Sequence, residues 1–374
     1  MTGLYIGLMS GTSLDGVDGV LVDFDAVDAS LVRVAAHVHR PLDSALAHGL
    51  LALNAPGESE LHRAALTANA LVRVYADVVA ALLAASGMPR EQVRAIGAHG
   101  QTVRHRPREF DGIGYTIQLN NPALLAELTG IGVIADLRSR DVAAGGQGAP
   151  LVPAFHRAVF GRAGEAGAVL NIGGISNLTA LRADGSTIGF DCGPGNALMD
   201  HWCLQHTGQR FDDSGAWAAS GQAIDTLLAS MRAEPYLALP PPKSTGRDLF
   251  NPLWLQAHLA RCAASPSAVD VQATLAELTA AACADDVLRY AEGTCELLVC
   301  GGGAFNAHLM QRLAARLPGI DVAPTSARGL PADQVEACAF AWLARAFMRR
   351  EPANLPSVTG AAGPRVLGAL YPAG

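Results

Sequence analysis

Residues 4–24 read LYIGLMSGTSLDGVDGVLVDF, and residues 168–191 read AVLNIGGISNLTALRADGSTIGFD. Each stretch opens on a short apolar strand, 4–9 in the first and 168–172 in the second. Each then passes through a turn of glycine and small polar residues. In the first, the turn is SGTSLDGVDG (10–19), and strands follow at 20–24 and 31–38, the latter rich in β-branched valine. In the second, the turn is GGISN, and strands follow at 177–181 and 187–191 around the hairpin turn ADGS.

Working outward, the two halves continue alike. The first has an amphipathic helical stretch over 58–86, ended by Gly87 and Pro89, a strand over 93–98 running into HGQT, a helix over 122–129 and a strand over 131–135. The second has helices near 196–206, 219–231, 251–262 and 268–291, and a buried strand over 296–300 that meets a run of three glycines. A helix over 305–316, a short strand over 320–323 and a helix over 332–349 follow. The likeness is in element order, not in residue identity. Duplicated α/β halves commonly collect ligands in a cleft. The expected boundary lies near 136–150, where AAGGQGAP reads either as a hinge or as an ordinary loop. The sequence thus predicts an α/β protein with domains 1–137 and 138–374, the last helix packing back on the first.

Composition sets outer limits. Length alone suggests roughly two domains of about 150 residues. Of 374 residues, half are hydrophobic and 16% charged, which excludes intrinsic disorder. The net charge of −7 argues against a broad nucleic-acid or anionic-membrane surface. Lys243 is the only lysine. Seven cysteines without a C-x-x-C pair read as free thiols rather than a disulfide framework or zinc site. MTGLYIGLMSG lacks a basic n-region and a long apolar core, and no run of 18 apolar residues occurs. The expectation is therefore a cytoplasmic protein without a signal peptide or membrane span.

Five segments carry chemistry. Ser10, Gly11, Thr12 and Ser13 expose backbone donors in a nest suited to anionic oxygen, and Asp15 and Asp18 can hold Mg²⁺ directly or through its waters. A Gly/Asp-rich hairpin explains the same residues. Gly173 and Gly174 follow a buried strand and permit close approach to the backbone; a tight hairpin accounts for them equally. Asp191, at the C-terminal edge of a strand in FDCGPGNALMD, can serve as general base or as a brace for the turn. Gly301, Gly302 and Gly303 in CGGGAFN, ahead of Asn306, form either a platform for a nucleotide base or a strand-to-helix turn. The fifth is a polar set of His99, Gln101, Thr102, Arg138, Arg140 and Asp141, in which an arginine can grip a carboxylate and His99 is equally readable as a satisfied core histidine. Arg104, His105, Arg106 and Arg108 read as a solvated loop face. His37 and His39 alternate on a strand and are assigned to no metal. P-loop and G-x-G-x-x-G patterns are absent.

Together, SGTSLDGVD, GAHGQTV, RSRDVAAGGQGAPLVP, LNIGGISNLT, FDCGPGNALMD, PPKSTGRDLFN, CGGGAFN and NLPSVTGA resemble the anhydro-N-acetylmuramic acid kinase family. The resemblance runs from residue 4 to the C-terminus. It implies two ribonuclease-H-like domains of the actin-like ATPase group flanking a nucleotide cleft. It implies a reaction in which ATP and water convert 1,6-anhydro-N-acetylmuramic acid to N-acetylmuramic acid 6-phosphate and ADP, in peptidoglycan recycling. Asp191 matches the family's base for the attacking water. Ser10, Gly11, Thr12, Ser13, Leu14, Asp15, Gly16 and Val17 match its phosphate-binding motif. His99, Arg138 and Arg140 fall in substrate-side segments, either arginine being a candidate for the lactyl carboxylate, and Glu336 matches a second acidic residue. ATP with Mg²⁺ and a homodimer are the implied cofactors and assembly. Cys192, Leu137, Asn120 with Asn121, and Gln334 depart from the family pattern. The competing readings are an ordinary hexose or N-acetylhexosamine kinase, an actin- or chaperone-type ATPase, and a carbamoyl-type transferase.

Overall fold

The computed structural model describes residues 3–11, 13–24, 32–246, 248–262 and 265–374. The chain divides into two units, Met1–Val159 with Gln334–Gly374, and Phe160–Asp333. The strands are β1 (Leu4–Ser10), β2 (Gly16–Asp23), β3 (Arg33–Pro41), β4 (Val93–Ala98), β5 (Gln101–Pro107), β6 (Gly114–Leu119) and β7 (Val133–Ala135). After these come β8 (Gly167–Ile172), β9 (Ile175–Leu181), β10 (Thr187–Pro194), β11 (Glu296–Cys300), β12 (Asp321–Pro324) and β13 (Ala369–Tyr371).

The sheet of the first unit runs β13-β7-β4-β1-β2-β3, and that of the second runs β10-β9-β8-β11-β12. In each, three strands form an antiparallel meander, and two later strands add in parallel beside its first strand. The duplicated order read from the sequence is therefore a duplicated topology. β13, too short to carry a hydrophobic period, pairs antiparallel with β7 at the edge.

The first sheet is covered by helix Glu60–Ser86, whose Leu71, Val72, Tyr75, Val78, Val79 and Leu82 are buried. This helix is long and apolar enough to cross a membrane, with a mean hydropathy of 1.6 over 18 residues. Its apolar stripe is nonetheless occupied by β2 and β3, as an amphipathic core helix requires. Helix Val335–Met348 packs against β1 and β4. Gly7 and Gly97 make this possible: a Cβ on Gly7 would collide with the Ala337 carbonyl, and one on Gly97 with that of Phe340. Residues 138–159 belong to this unit too. Asp141 is wholly buried there and ties their chain to Asn354 and Thr359.

The second unit is built around helix Ala268–Tyr290, buried without interruption from Val271 to Ala284. Burial on all sides demands partners for its polar groups. Thr279 Oγ1 donates to Gly195 O at 3.1 Å, and Gln272 Nε2 donates to Asp212 at 3.3 Å. Glu277 receives Arg312 and Arg316. The same helix breaks its neighbour. The stretch expected as one helix over 219–231 is two, Ala216–Ala219 and Asp225–Arg232. Asp270 Oδ1 and Thr274 Oγ1 take the amides of Gln222 and Ile224, which a continuous helix would need for its own ladder.

Candidate active site

In the first unit, β1 and β2 pair from Leu4↔Asp23 to Ser10↔Val17. The loop expected over 10–19 is therefore only Gly11–Asp15, because the buried Val17 and Val20 draw β2 back to Gly16. Thr12 lies outside the described residues. Leu14 adopts φ 58°, and its amide donates to Gly11 O at 3.2 Å. Asp15 Oδ1 accepts from Ser13 Oγ at 2.6 Å and from the Gly16 amide at 3.0 Å. Ser10 turns inward: its hydroxyl shares a 2.9 Å hydrogen bond with Tyr75 and donates to Gly100 O at 3.2 Å. Ser10 thus offers the loop its backbone, not its side chain.

Asp18 faces His37 Nε2 at 3.4 Å and His39 Nδ1 at 2.9 Å. Burial raises its carboxyl, but the two imidazoles outweigh this and hold it below the usual range. Magnesium takes hard oxygens and keeps several waters. Asp15 is exposed and Asp18 half-buried, and no three His, Cys, Asp or Glu side chains converge for direct ligation among the described residues. This donor set fits a hydrated ion reached through its waters.

Beside the loop, Gln101 Nε2 donates to Gly11 O at 3.0 Å. Arg138 donates through Nε and Nη2 to His99 Nε2 at 3.1 and 3.0 Å, and through Nη1 to Gly148 O at 2.9 Å. A guanidinium only donates, so Nε2 is the acceptor and the ring proton resides on Nδ1. Burial and then Arg138 hold the His99 pKa well down. Burial also lowers Arg138 to about 10, while Glu336 and Asp141 oppose it. Burial raises the Glu336 carboxyl; Arg138 counters, and Asp18 and Asp15 push it further up. Glu336 thus joins Arg138, the loop residue Asp15 and Asp18 of β2 in one electrostatic group. Arg140 stands exposed on helix Ser139–Ala143.

The β5–β6 hairpin was not anticipated. Arg104, expected in a solvated face, is 11% exposed, paired with Glu60 at 2.8 Å and bonded to Leu53 O. The hairpin register sets Gln101 opposite Leu119 and Thr102 opposite Gln118. Among the described residues, Gln101 Oε1, Gln118 Oε1 and both amide atoms of Asn120 are buried without hydrogen-bond partners. Gln118 and Asn120 were not assigned to the site from the sequence. Buried orphan amides packed against Gly100 are the structural signal for them.

In the second unit, Asp191 lies on β10. Its Oδ2 accepts from Ser244 Oγ at 2.9 Å and from the Thr245 amide at 3.1 Å, whereas Oδ1 takes no hydrogen bond from a described residue. Tyr236 Oη donates to Asp191 O at 2.7 Å. Burial pushes the Asp191 carboxyl up, opposed by Thr245, Ser244 and Lys243. A half-buried carboxylate with one oxygen held and the other open can accept a proton in a fixed direction.

The glycine turns nearby are partly occupied. Gly173 O accepts from the Asn196 amide at 2.7 Å, and Gly174 O from Gly195 and Ala197 at 3.0 and 3.2 Å. Asn306 Oδ1 caps helix Ala307–Arg316 at the Leu309 amide, 2.9 Å away. The Asn306 side chain is thereby committed to the helix end. Gly301 sits at φ 76°, where a Cβ would meet Asn171 Oδ1 and the Ile172 carbonyl, and Gly302 and Gly303 begin a single helical turn.

Residues 3–373 match the family model of anhydro-N-acetylmuramic acid kinase. The chain belongs to this family. It is 64% identical over 375 residues to the anhydro-N-acetylmuramic acid kinase of Variovorax paradoxus, covering 99% of both chains. It is 61% identical to that of Albidiferax ferrireducens, covering 100% of both. A dehydratase component A from Acidaminococcus fermentans, named for (R)-2-hydroxyglutaryl-CoA, is similar in fold. Its TM-score is 0.50 at 11% identity, over 90% of this chain and 96% of that one. Membership of the anhydro-N-acetylmuramic acid kinases establishes an ATP-using kinase of 1,6-anhydro-N-acetylmuramic acid in peptidoglycan recycling. The hexose kinase, chaperone-type ATPase and carbamoyl transferase readings fall away.

Proposed function

We propose that Asp191 is the base that activates water in this kinase reaction. Water attacks C1 of the anhydro-sugar and gives its proton to Asp191 Oδ1. The new C1–O bond forms as the C1–O6 bond breaks. O6 takes the γ-phosphoryl group, and the β–γ bridging oxygen leaves with ADP. O6 is a poor leaving group, and its capture by phosphorus as it departs removes that difficulty. The observation that carries this reading is the asymmetry of Asp191: Ser244 and Thr245 hold Oδ2, and Oδ1 is unclaimed among the described residues.

The backbone of 10–17 is assigned to the ATP phosphates, with the Gly173–Gly174 and Gly301–Gly303 turns on the nucleotide side. Mg²⁺, held through water by Asp15 and Asp18, would neutralise developing phosphate charge. His99, Gln101, Arg138, Arg140 and Glu336 are assigned to the sugar. Two features support placing Arg138 there. Its charge is desolvated, and its fork is oriented by His99 and Gly148.

The reading is tested by turning over ATP and the anhydro-sugar in ¹⁸O-labelled water. One labelled oxygen at C1 of N-acetylmuramic acid 6-phosphate is expected. Label-free product would mean that no water adds at C1, and Asp191 would lose its assigned task.

A further inference from the structure

Lys243, the only lysine in the sequence, is buried beneath Asp191. Its Nζ lies 3.0 Å from Asp286 Oδ2, and the two side chains are 1% and 3% exposed. The ammonium also stands 5.4 Å from the ring centre of Phe190 and 5.3 Å from that of Tyr236. Phe190 immediately precedes Asp191, and Tyr236 is the residue whose hydroxyl holds the Asp191 carbonyl. The Asp191 amide, in turn, donates to Lys243 O at 3.2 Å. The next two residues after Lys243 are the two that grip Asp191 Oδ2.

A buried ion pair is a poor source of stability, because desolvating both charges offsets their attraction. Such a pair does fix geometry, since an ammonium among two rings and a carboxylate has few places to go. The helix carrying Asp286 is the most deeply buried in its unit. We propose that the Lys243–Asp286 pair is the positioning device of Asp191: it pins the segment 243–245 to helix Ala268–Tyr290, so that Ser244 and Thr245 hold Oδ2 and leave Oδ1 directed at the reacting water. This rests on Asp191 being the base.

Among the described residues, the groups facing Asp191 are Lys243, Ser244 and Thr245 from this segment and Tyr236 from helix Pro235–Ala238, while Asp286 from helix Ala268–Tyr290 faces Lys243 and Tyr236. Cys192, beside it on β10, faces Cys283 and Asp286. Lys243 is the cation among them, and the hydrogen bonds of its two successors favour the ionised carboxylate. Releasing the segment removes those bonds and raises the pH at which the base is lost.

The test compares wild type, Lys243→Met, the charge-free pair Lys243→Met with Asp286→Asn, and Asp191→Asn, all by kcat and KM over pH. The double substitution leaves no unpaired buried charge and keeps the question answerable if Lys243→Met alone fails to fold. The expected result is a roughly tenfold or greater fall in kcat for the double variant, KM for both substrates within about threefold, and an acid limb of kcat about one pH unit higher. Lys243→Arg should recover part of the rate. A folded double variant with wild-type kcat and an unmoved acid limb overturns the positioning role. Near wild-type turnover by Asp191→Asn overturns the base assignment and this inference with it. An inactive Asp191→Asn beside an unaffected double variant overturns the inference alone.

Discussion

Arg138 and His99 meet through three atoms: Nε and Nη2 of the guanidinium both point at the imidazole Nε2, at 3.1 and 3.0 Å. The imidazole must stay neutral for this contact to exist, and its depressed pKa is the electrostatic counterpart of that geometry. The arginine is held by a neutral acceptor, so its positive charge is not cancelled by the contact. On the proposed assignment, that charge meets an anionic substituent of the sugar.

His99→Ala should therefore act on sugar binding. Freed from its acceptor, Arg138 loses orientation, and KM for the anhydro-sugar should rise by about tenfold or more, corresponding to about 1.4 kcal/mol. KM for ATP should change much less. Steady-state kinetics in both substrates decide this. An equal rise in both constants would remove His99 and Arg138 from the sugar side.

Asp191→Asn keeps the size of the side chain and its oxygen acceptor for Ser244 and Thr245, but it cannot take a proton. A fall in kcat of about 10²–10⁴-fold is expected, or roughly 3–5 kcal/mol, with thermal stability close to wild type. The measurement is ADP release under saturating substrates, alongside a melting curve. A variant that melts normally and turns over near the wild-type rate would dismiss Asp191 as the base.

Asp141 collects three buried hydrogen bonds, from Asn354 at 2.6 Å, Thr359 at 2.8 Å and the Gly148 amide at 2.7 Å. Gly148 O is also an acceptor for Arg138. Asp141→Ala removes the acceptor of all three and leaves Asn354 and Thr359 only their longer contacts to Gly363 O at 3.3 Å and Leu355 O at 3.4 Å, and a loss of about 2–4 kcal/mol of stability is expected. Because Gly148 moves with it, KM for the sugar should rise as well. Urea unfolding and kinetics on the same preparation test both parts; unchanged stability would contradict the bracing role.

His156 is wholly buried, and burial lowers its pKa to about 3. The unfolded chain binds a proton at this residue below about 6.5, whereas the folded protein does so only near 3. Stability from this source is complete above the unfolded value and declines as pH falls towards the folded one. The slope approaches about 1.4 kcal/mol per pH unit well below 6.5. Denaturant unfolding at pH 7, 6, 5 and 4 should show the decline, and His156→Leu should flatten it. A variant with the same slope as wild type would rule His156 out as its source.

Much of the architecture was legible because periodicity is a local property. The helix expected over 122–129 forms as Pro122–Thr129, with Pro122 at its first position, and the structure adds its cap: Asn121 Oδ1 accepts the Leu124 amide at 3.1 Å. The strand Glu296–Cys300 is a buried apolar run and lies mid-sheet. The β5–β6 hairpin was hidden because its arginines and histidines read as solvent-facing. Arg104 is kept from water by Glu60, distant in sequence, which no local pattern reveals.

The same division holds for the candidate site. The residues of the chain, through their motifs, determined the duplicated strand order, the family and its chemistry, and the choice of Asp191 as the carboxylate of interest. The tertiary structure decided what each group is free to do. It turned Ser10 inward to Tyr75, committed the Asn306 side chain to a helix cap, and left Gln118 and Asn120 with amide atoms unpaired among the described residues. It also set a solitary lysine against Asp286 next to the Asp191 backbone. Strand and helix periods follow from short-range sterics and hydrophobic spacing, which a linear chain records. Whether a polar atom is spent or available depends on which distant segment reaches it once water is excluded, and only packing settles that.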